Sequence, residues 1–424
     1  MDGTEQEPEL VESLSYGRAG IVRAGGRVVF VEGVAPGDRI RFEILRDHGR
    51  WAEGRLVEIV EPSPHRTSPP CPLASTCGGC PWQHVDYGMQ LRAKRQAVVD
   101  ALERLGGFRD PPVAPITGSP RVLGYRNRLK LRVESGRIGF YRAATHALVE
   151  IDDCPVAEDA VRASLPAARR LLATLSTRVT RVEIASRGLL PGVVFGLNSA
   201  GRLRPSDRER VKEFLAQRSE HGVAGVVMWG RGWKRSWGDT RRRTTGAGGV
   251  TIETAGSAFG QVNTEANRTL VELAVEALEP RPGDTLLELY AGAGNFTLPL
   301  APRVGSITAV ESDRDAVESG RASAAHHGLT TVDFVHERVE RFVAGGIGRF
   351  SAILANPPRS GLGASAAAIA RGRAGRVVYV SCNPATLARD LRVFADKGYR
   401  LDRVIPVDMF PHTFHVESVC RLTC

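Results

Sequence analysis

The chain lacks any apolar run of membrane-spanning length; stretches such as Val223 to Trp229 fall far short of the roughly 20 residues a spanning helix needs. It also lacks a secretory start, because MDGTEQEPEL is acidic and polar where a signal peptide needs a basic stretch followed by an apolar one. No membrane contact and a cytoplasmic location are therefore expected. Internal repeats and long low-complexity segments are missing too, which leaves ordinary folded domains. Acidic residues are in deficit: 57 Lys and Arg stand against 47 Asp and Glu, a formal charge of +10. Such a balance favours polyanionic partners through counterion release, with nucleic acid first among them, although a cationic surface kept for solubility gives the same count.

A length of 424 residues, 42% hydrophobic and 25% charged, suits two or three globular domains. The first 65 or so residues read as five short strands broken by glycine turns, which fits a small OB-type barrel. Prolines 62, 64, 69 and 70 mark a boundary near residue 65. Helical spacing from Asp86 to Leu105 is followed, to about residue 250, by mixed strands and helices, an α+β unit spanning 66–250. From 251 to 424 helix and strand alternate regularly, which predicts a parallel sheet wrapped by helices. Its last two strand candidates follow one another with no helix between, so the sheet is expected to end in an antiparallel pair, unlike a dehydrogenase Rossmann domain. The fold class is thus multi-domain α/β: an N-terminal β-barrel, a central α+β unit and a C-terminal Rossmann-like domain.

The seven cysteines are odd in number, and Cys71, Cys77 and Cys80 crowd into ten residues, a pattern of metal or cluster ligation in a reducing compartment. Cys154, in DDCPV, is the candidate fourth thiolate; four thiolates can hold zinc or an iron-sulfur cluster, and spacing does not choose between them. Farther on, LELYAGAGNF (287–296) ends a strand with glycines at 292 and 294, and Glu311 closes the next strand. A glycine turn followed by that carboxylate marks an adenosine-containing cofactor. NPPRSG (356–361) is a rigid loop at the end of the fourth strand. Cys382 ends the fifth, just ahead of a helix whose N-terminus favours a thiolate, the attacking form of cysteine.

Basic residues cluster at three places. Arg126, Arg128, Lys130 and Arg132 alternate and are expected to form a cationic stripe on one strand face, the alternative being a solvated edge strand. Lys234, Arg235 and Arg241 to Arg243 lie among Trp229, Trp233 and Trp237, which either stack on splayed bases or belong to a core. In the barrel Arg18, Arg23, Arg27, Arg41, Arg46, Arg50 and Arg55 interleave with Phe30, Phe42 and Trp51, as in single-strand binders.

Over nearly its whole length the chain resembles the bacterial RNA uridine carbon-5 methyltransferases, the TRAM-domain enzymes that methylate 23S ribosomal RNA and transfer RNA. SCNPATLARDL is similar to the family's nucleophile motif, and DMFPHTFHVES to the motif bearing its proton-abstracting carboxylate. The resemblance implies Cys382 as nucleophile, Glu417 as base, and a class I methyltransferase domain at 251–424. Phe259, Gln261, Val262 and Asn263 match the FxQVN segment, which implies that Gln261 contacts the cofactor; Tyr290, Asn295, Glu311 and Asn356 would line the same S-adenosylmethionine pocket. Many members carry Asp where Asn356 stands, and an amide cannot serve as a base, which leaves that step to Glu417. The barrel is similar to a TRAM domain, and the match at Cys71, Cys77, Cys80 and Cys154 favours a 4Fe-4S cluster. The implied activity is methyl transfer to carbon 5 of a uridine, in 23S rRNA ahead of tRNA; a non-catalytic RNA-binding folding factor, and a methyltransferase for another base or a small molecule, are the rival readings.

Overall fold

The computed structural model describes residues 7–424 except 218–221, 257 and 259; the acidic residues 1–6 and Phe259 lie outside the described residues. Glu9–Leu14, Ala19–Ala24, Arg27–Glu32, Arg39–Asp47 and Trp51–Glu61 close into a five-stranded barrel, antiparallel except where the third and fifth strands run parallel. Alternation puts Val11, Val22, Val29, Val31, Ile40, Phe42 and Ala52 inside it. Phe42 is therefore core and not a base-stacking residue. Most of the barrel's arginines reach carboxylates, as in the pairs Arg23–Glu12, Arg41–Glu58 and Arg55–Glu43. The interleaved pattern is largely a cross-strand ion-pair lattice, each exposed pair worth about 0–1 kcal/mol.

A turn-rich segment carrying Cys71, Cys77 and Cys80 leads to helix Tyr87–Arg104, whose N-terminus is capped by the Asp86 carboxylate accepting from the Met89 N–H at 2.9 Å. Val98 and Leu102 pack into the core of the C-terminal domain. Lys94, on the same helix, is fully buried and meets the buried Asp408 at 2.5 Å while donating to the Phe410 carbonyl at 3.0 Å. Breaking such a pair strands a buried charge at a cost of about 3–5 kcal/mol, so this helix firmly holds the 408–416 loop.

The central sheet has seven strands, ordered Trp233–Gly238, Val223–Gly230, Val193–Ser199, Val179–Ser186, Arg128–Glu134, Arg137–Tyr141, Leu148–Glu150. Helices Leu165–Thr174 and Pro205–Ala216 contribute buried residues to the core on one of its faces. The expected cationic stripe is not a bare face: Arg128, only 3% exposed, pairs with Glu183 at 3.1 Å and donates to the Ala258 carbonyl at 2.9 Å. Alternation chose the right side of the strand, but Glu183 and the Ala258 carbonyl enclose Arg128 near its start. Trp233 and Trp237 pack against the sheet's core, with the Trp233 indole donating to the Gly201 carbonyl at 3.0 Å, and Trp229 lies across Gly196. Trp233 and Trp237 thus lean on the core while staying half-buried, and Trp229 lies half-buried on the sheet outside that core.

The C-terminal sheet is ordered Val332–His336, Ser306–Glu311, Thr285–Leu289, Ala352–Ala355, Arg376–Ser381, Glu417–Thr423, Arg400–Val407. Its first five strands are parallel, and Glu417–Thr423 inserts antiparallel between the last two neighbours. The expected antiparallel ending is present. No helix among the described residues is long and apolar enough to cross a membrane.

Candidate active site

The insertion of Glu417–Thr423 beside Arg376–Ser381 determines the chemistry available. Ser381, the last paired residue of its strand, lies opposite Ser418, and the flanking Cys382 and Glu417 are close enough for the Glu417 charge to act on the thiol. Directly opposed residues in an antiparallel pair have Cα atoms about 4.5–5.5 Å apart. A thiol and a carboxyl that are 35 positions apart in sequence thus share one end of the sheet.

Each is held by its own local device. After Cys382 the chain turns into helix Pro384–Asp396, with the Asn383 side chain accepting from the Ala385 N–H at 3.1 Å and proline in the first turn. The NPPRSG loop is tied to this turn: the Arg359 carbonyl accepts from Asn383 Nδ2 at 3.3 Å and Thr386 Oγ1 at 3.2 Å, and Arg389 donates to the Ser360 carbonyl at 2.9 Å. Gly361 takes a positive φ of 75° there. On the other side the 408–416 loop is pinned by Lys94–Asp408 and by Gln90, which accepts from the His412 N–H at 2.8 Å.

Burial is the main influence on both groups. The Glu417 carboxyl is buried and pushed up to about 8, opposed only by the Arg359 cation. The Cys382 thiol is pushed up to about 11 by burial and then by Glu417, while Arg359 draws it down. The helix N-terminus was expected to favour the thiolate; in the free protein, burial outweighs it. Arg359, whose Nη2 lies 3.3 Å from His415 Nε2, is the cation common to both groups. Sequence reasoning assigns it no role, because nothing in NPPRSG shows which side chain will face the thiol. Arg359→Ala should slow iodoacetamide alkylation of Cys382 at pH 8 by about fivefold, because less thiolate is present. Peptide mass spectrometry at Cys382 checks this, and an unchanged rate would remove Arg359 from the account.

The glycine loop after Thr285–Leu289 forms the adjoining pocket. Tyr290 adopts φ 62°, uncommon for a side-chain-bearing residue, and Gly292 (φ 58°) donates its N–H to the Glu311 carboxylate at 3.0 Å. A Cβ on Gly294 would meet Leu298 and Phe334 at 3.1 Å, whereas one on Gly292 would meet nothing within 4 Å, so open space lies before the loop. Asn295 exchanges hydrogen bonds with Asn267 at 2.9 and 3.0 Å, and Asn356 follows Ala352–Ala355 at the same sheet end. Gln261 stands two residues before Asn263, the N-cap of helix Thr264–Leu278, its carbonyl accepting from Asn127 Nδ2 at 2.9 Å. A glycine cradle with a carboxylate on the next strand and amides around it fits an adenosine cofactor's ribose and polar edges.

Cys71, Cys77, Cys80 and Cys154 are all half-buried and free of disulfides. They share one electrostatic neighbourhood: after burial, Cys71 raises the Cys77 thiol, Cys77 and Cys71 contribute to raising Cys80 to about 11, and Cys80 and Cys77 to raising Cys154 to about 12. Four thiols that repel one another as anions fit, as a donor set, a cationic centre. Among the described residues no three His, Cys, Asp or Glu side chains form a group that could hold a metal ion.

A parallel sheet closed by an antiparallel strand, with a glycine cradle and carboxylate on its first two strands, defines a class I S-adenosylmethionine-dependent methyltransferase. The comparisons narrow the class. Residues 249–423 match the model of the tRNA (Uracil-5-)-methyltransferase family. The 23S rRNA (uracil(1939)-C(5))-methyltransferase RlmD of Hahella chejuensis is 32% identical, over 96% of this chain and 95% of its own. An uncharacterized RNA methyltransferase of Synechocystis is 33% identical over 97% and 94%. The crystal structure of Pyrococcus abyssi tRNA (uracil-54, C5)-methyltransferase, in complex with S-adenosyl-L-homocysteine, superposes with a TM-score of 0.75 at 25% identity, covering 98% of this chain and 99% of that one. The chain belongs to the RNA uracil carbon-5 methyltransferase family, whose members use S-adenosylmethionine.

Proposed function

We propose that this enzyme methylates carbon 5 of one uridine in 23S rRNA through a covalent bond between Cys382 and uracil, with tRNA as the second candidate substrate. The observation that carries the proposal is that the Ser381–Ser418 pairing brings Cys382 and Glu417 to one sheet end, where the Glu417 charge acts on the Cys382 thiol. Carbon 5 of uracil is a weak nucleophile. Addition of the Cys382 thiolate to carbon 6 places an electron pair on the ring as an enolate, and carbon 5 then attacks a methylsulfonium. S-adenosylmethionine, when bound, supplies that methyl group and leaves as S-adenosylhomocysteine. Glu417 takes the proton from carbon 5, the ring recovers its double bond, and the Cys382 thiolate departs. Gln261, Tyr290, Asn295, Glu311 and Asn356 bind and orient the cofactor. A base drawn out of its stack costs a few kcal/mol, which RNA contacts of the TRAM-like barrel and central unit offset.

The work divides at about residues 65 and 250: RNA binding before, methyl transfer after, in the cytoplasm. The relatives named for 23S rRNA favour that substrate. Mapping 5-methyluridine in ribosomal and transfer RNA from a deletion strain tests it; loss at the 23S site supports the reading, and loss in tRNA alone replaces it with the second.

We propose further that Cys71, Cys77, Cys80 and Cys154 hold a 4Fe-4S cluster that staples the central unit to the barrel side. Cys77 bridges to Arg142 of the central unit, and Arg18 of the barrel donates to the neighbouring Gly78 carbonyl at 3.0 Å. Anaerobically purified protein should carry about four iron and four sulfide per chain. Cys77→Ser should lose both, and stoichiometric zinc in place of iron would overturn the assignment.

A further inference from the structure

Tyr16 belongs to the barrel, yet its hydroxyl donates to the Cys382 carbonyl at 3.3 Å, across 366 positions of sequence. Its ring stands edge-on to Phe414 at 5.5 Å; Phe414 in turn lies 4.3 Å from the His415 ring, and Phe410 lies 6.0 Å beyond. An aromatic rim thus runs from the barrel along the loop that ends in Glu417. Cations flank it: Arg126 lies over the Phe410 ring at 5.8 Å, Arg359 is beside His415, and Arg18 is two residues from Tyr16.

The turn presenting Tyr16 is fixed from both ends. Ser15 Oγ donates to the Ala19 carbonyl at 2.7 Å, the Gly17 N–H to the Ser15 carbonyl at 2.7 Å, and the Trp82 indole to the Gly17 carbonyl at 3.1 Å. Even so, Tyr16 remains 37% exposed. A ring that served only to seal the seam between two domains would be covered. This one is rigidly held, partly open and beside the nucleophile, the arrangement that gives a base a stacking surface at little entropic cost.

We propose that Tyr16 is a substrate-positioning residue, its ring stacking on the unpaired nucleobase next to the target uridine, so that the barrel completes the substrate pocket. The inference rests on the RNA-methylating reading given above. A uracil bonded to Cys382 has its backbone at the mouth of the site, and its chain neighbour, unstacked by the target's withdrawal, lies within one nucleotide's reach of the rim. Arg359, the exposed cation of the rim, suits a phosphate of the flanking nucleotide.

The test uses the full-length protein and a synthetic 23S rRNA fragment of about 30 nucleotides spanning the uridine proposed as target. Base–aromatic stacking removed by alanine corresponds to roughly a 5- to 150-fold loss of affinity. Tyr16→Ala should therefore raise the RNA KM about tenfold or more while kcat stays within about threefold, and Tyr16→Phe should match the unaltered enzyme. Affinity for S-adenosylhomocysteine should be the same in all three. An unchanged KM in Tyr16→Ala, or equal impairment of Tyr16→Phe, overturns the proposal. Should the alanine variant fail to fold, the unaltered enzyme still decides: 5-iodouridine placed on either side of the target should photo-crosslink to Tyr16, and crosslinks found only elsewhere overturn it. Failure of the unaltered enzyme to methylate the fragment is a separate outcome; it counts against the parent reading, and the crosslinks are then read on whichever RNA the enzyme does methylate.

Discussion

Cys382→Ala is expected to lose at least about 10⁴-fold in turnover, about 5.4 kcal/mol of transition-state stabilisation, while still binding S-adenosylhomocysteine. The size follows from the chemistry: without a sulfur on carbon 6, carbon 5 has no electron pair with which to attack the methyl group, and no neighbouring side chain supplies one. Cofactor affinity should survive because Tyr290, Asn295 and Glu311 lie on the far side of the nucleophile's strand, separated from it by Ala352–Ala355. With RNA containing 5-fluorouridine the unaltered enzyme should form an adduct that resists denaturation, since fluorine cannot leave as a proton does; the alanine variant should form none. Stopped-point assays of methyl incorporation and denaturing gels read both. Turnover within about a hundredfold of the unaltered enzyme would mean that some other group activates the ring.

The parts of this site that were legible in the sequence are those carried by short, contiguous segments. Cys382 before a proline-started helix, the glycines ahead of Glu311 and the adjacent final strands can all be read locally, because each depends on a turn or a period of a few residues. The roles of Glu417 and Gln261 came from resemblance, not from spacing. What stayed hidden depends on coverage. The alternation of Arg128, Lys130 and Arg132 gives their shared side, but not that the Ala258 carbonyl and Glu183 would enclose Arg128. The helix position of Cys382 predicts a readily ionised thiol, yet that holds only where burial is slight; here burial is the larger influence and the Glu417 charge adds to it. Tyr16 gave no signal at all, since a tyrosine in a barrel turn points to a distant carbonyl only once the domains are docked.

Glu417→Gln should separate the two halves of the reaction. The amide has nearly the same shape but cannot accept the carbon 5 proton, so thiolate addition and methyl transfer proceed once and elimination stalls. About one methyl group per enzyme should appear in a burst, followed by a steady rate lower by about 10³-fold, within the span usual for loss of a general base. The methylated RNA should remain bonded to Cys382 as a denaturation-resistant band, now with ordinary uridine, and the band should vanish in the Cys382→Ala/Glu417→Gln double variant. The pH profile offers an independent check. Burial raises the Glu417 carboxyl to about 8, so at pH 6 it is mostly protonated and cannot take a proton; where elimination limits turnover, the rate should climb about tenfold per pH unit and level off above 8. Glutamine does not titrate, and its residual rate should lack that limb. Free turnover by the variant would exclude Glu417 as the base, while absence of both burst and adduct would place its action before methyl transfer, in generating the Cys382 thiolate at the end of the strand pair that brings the two residues together.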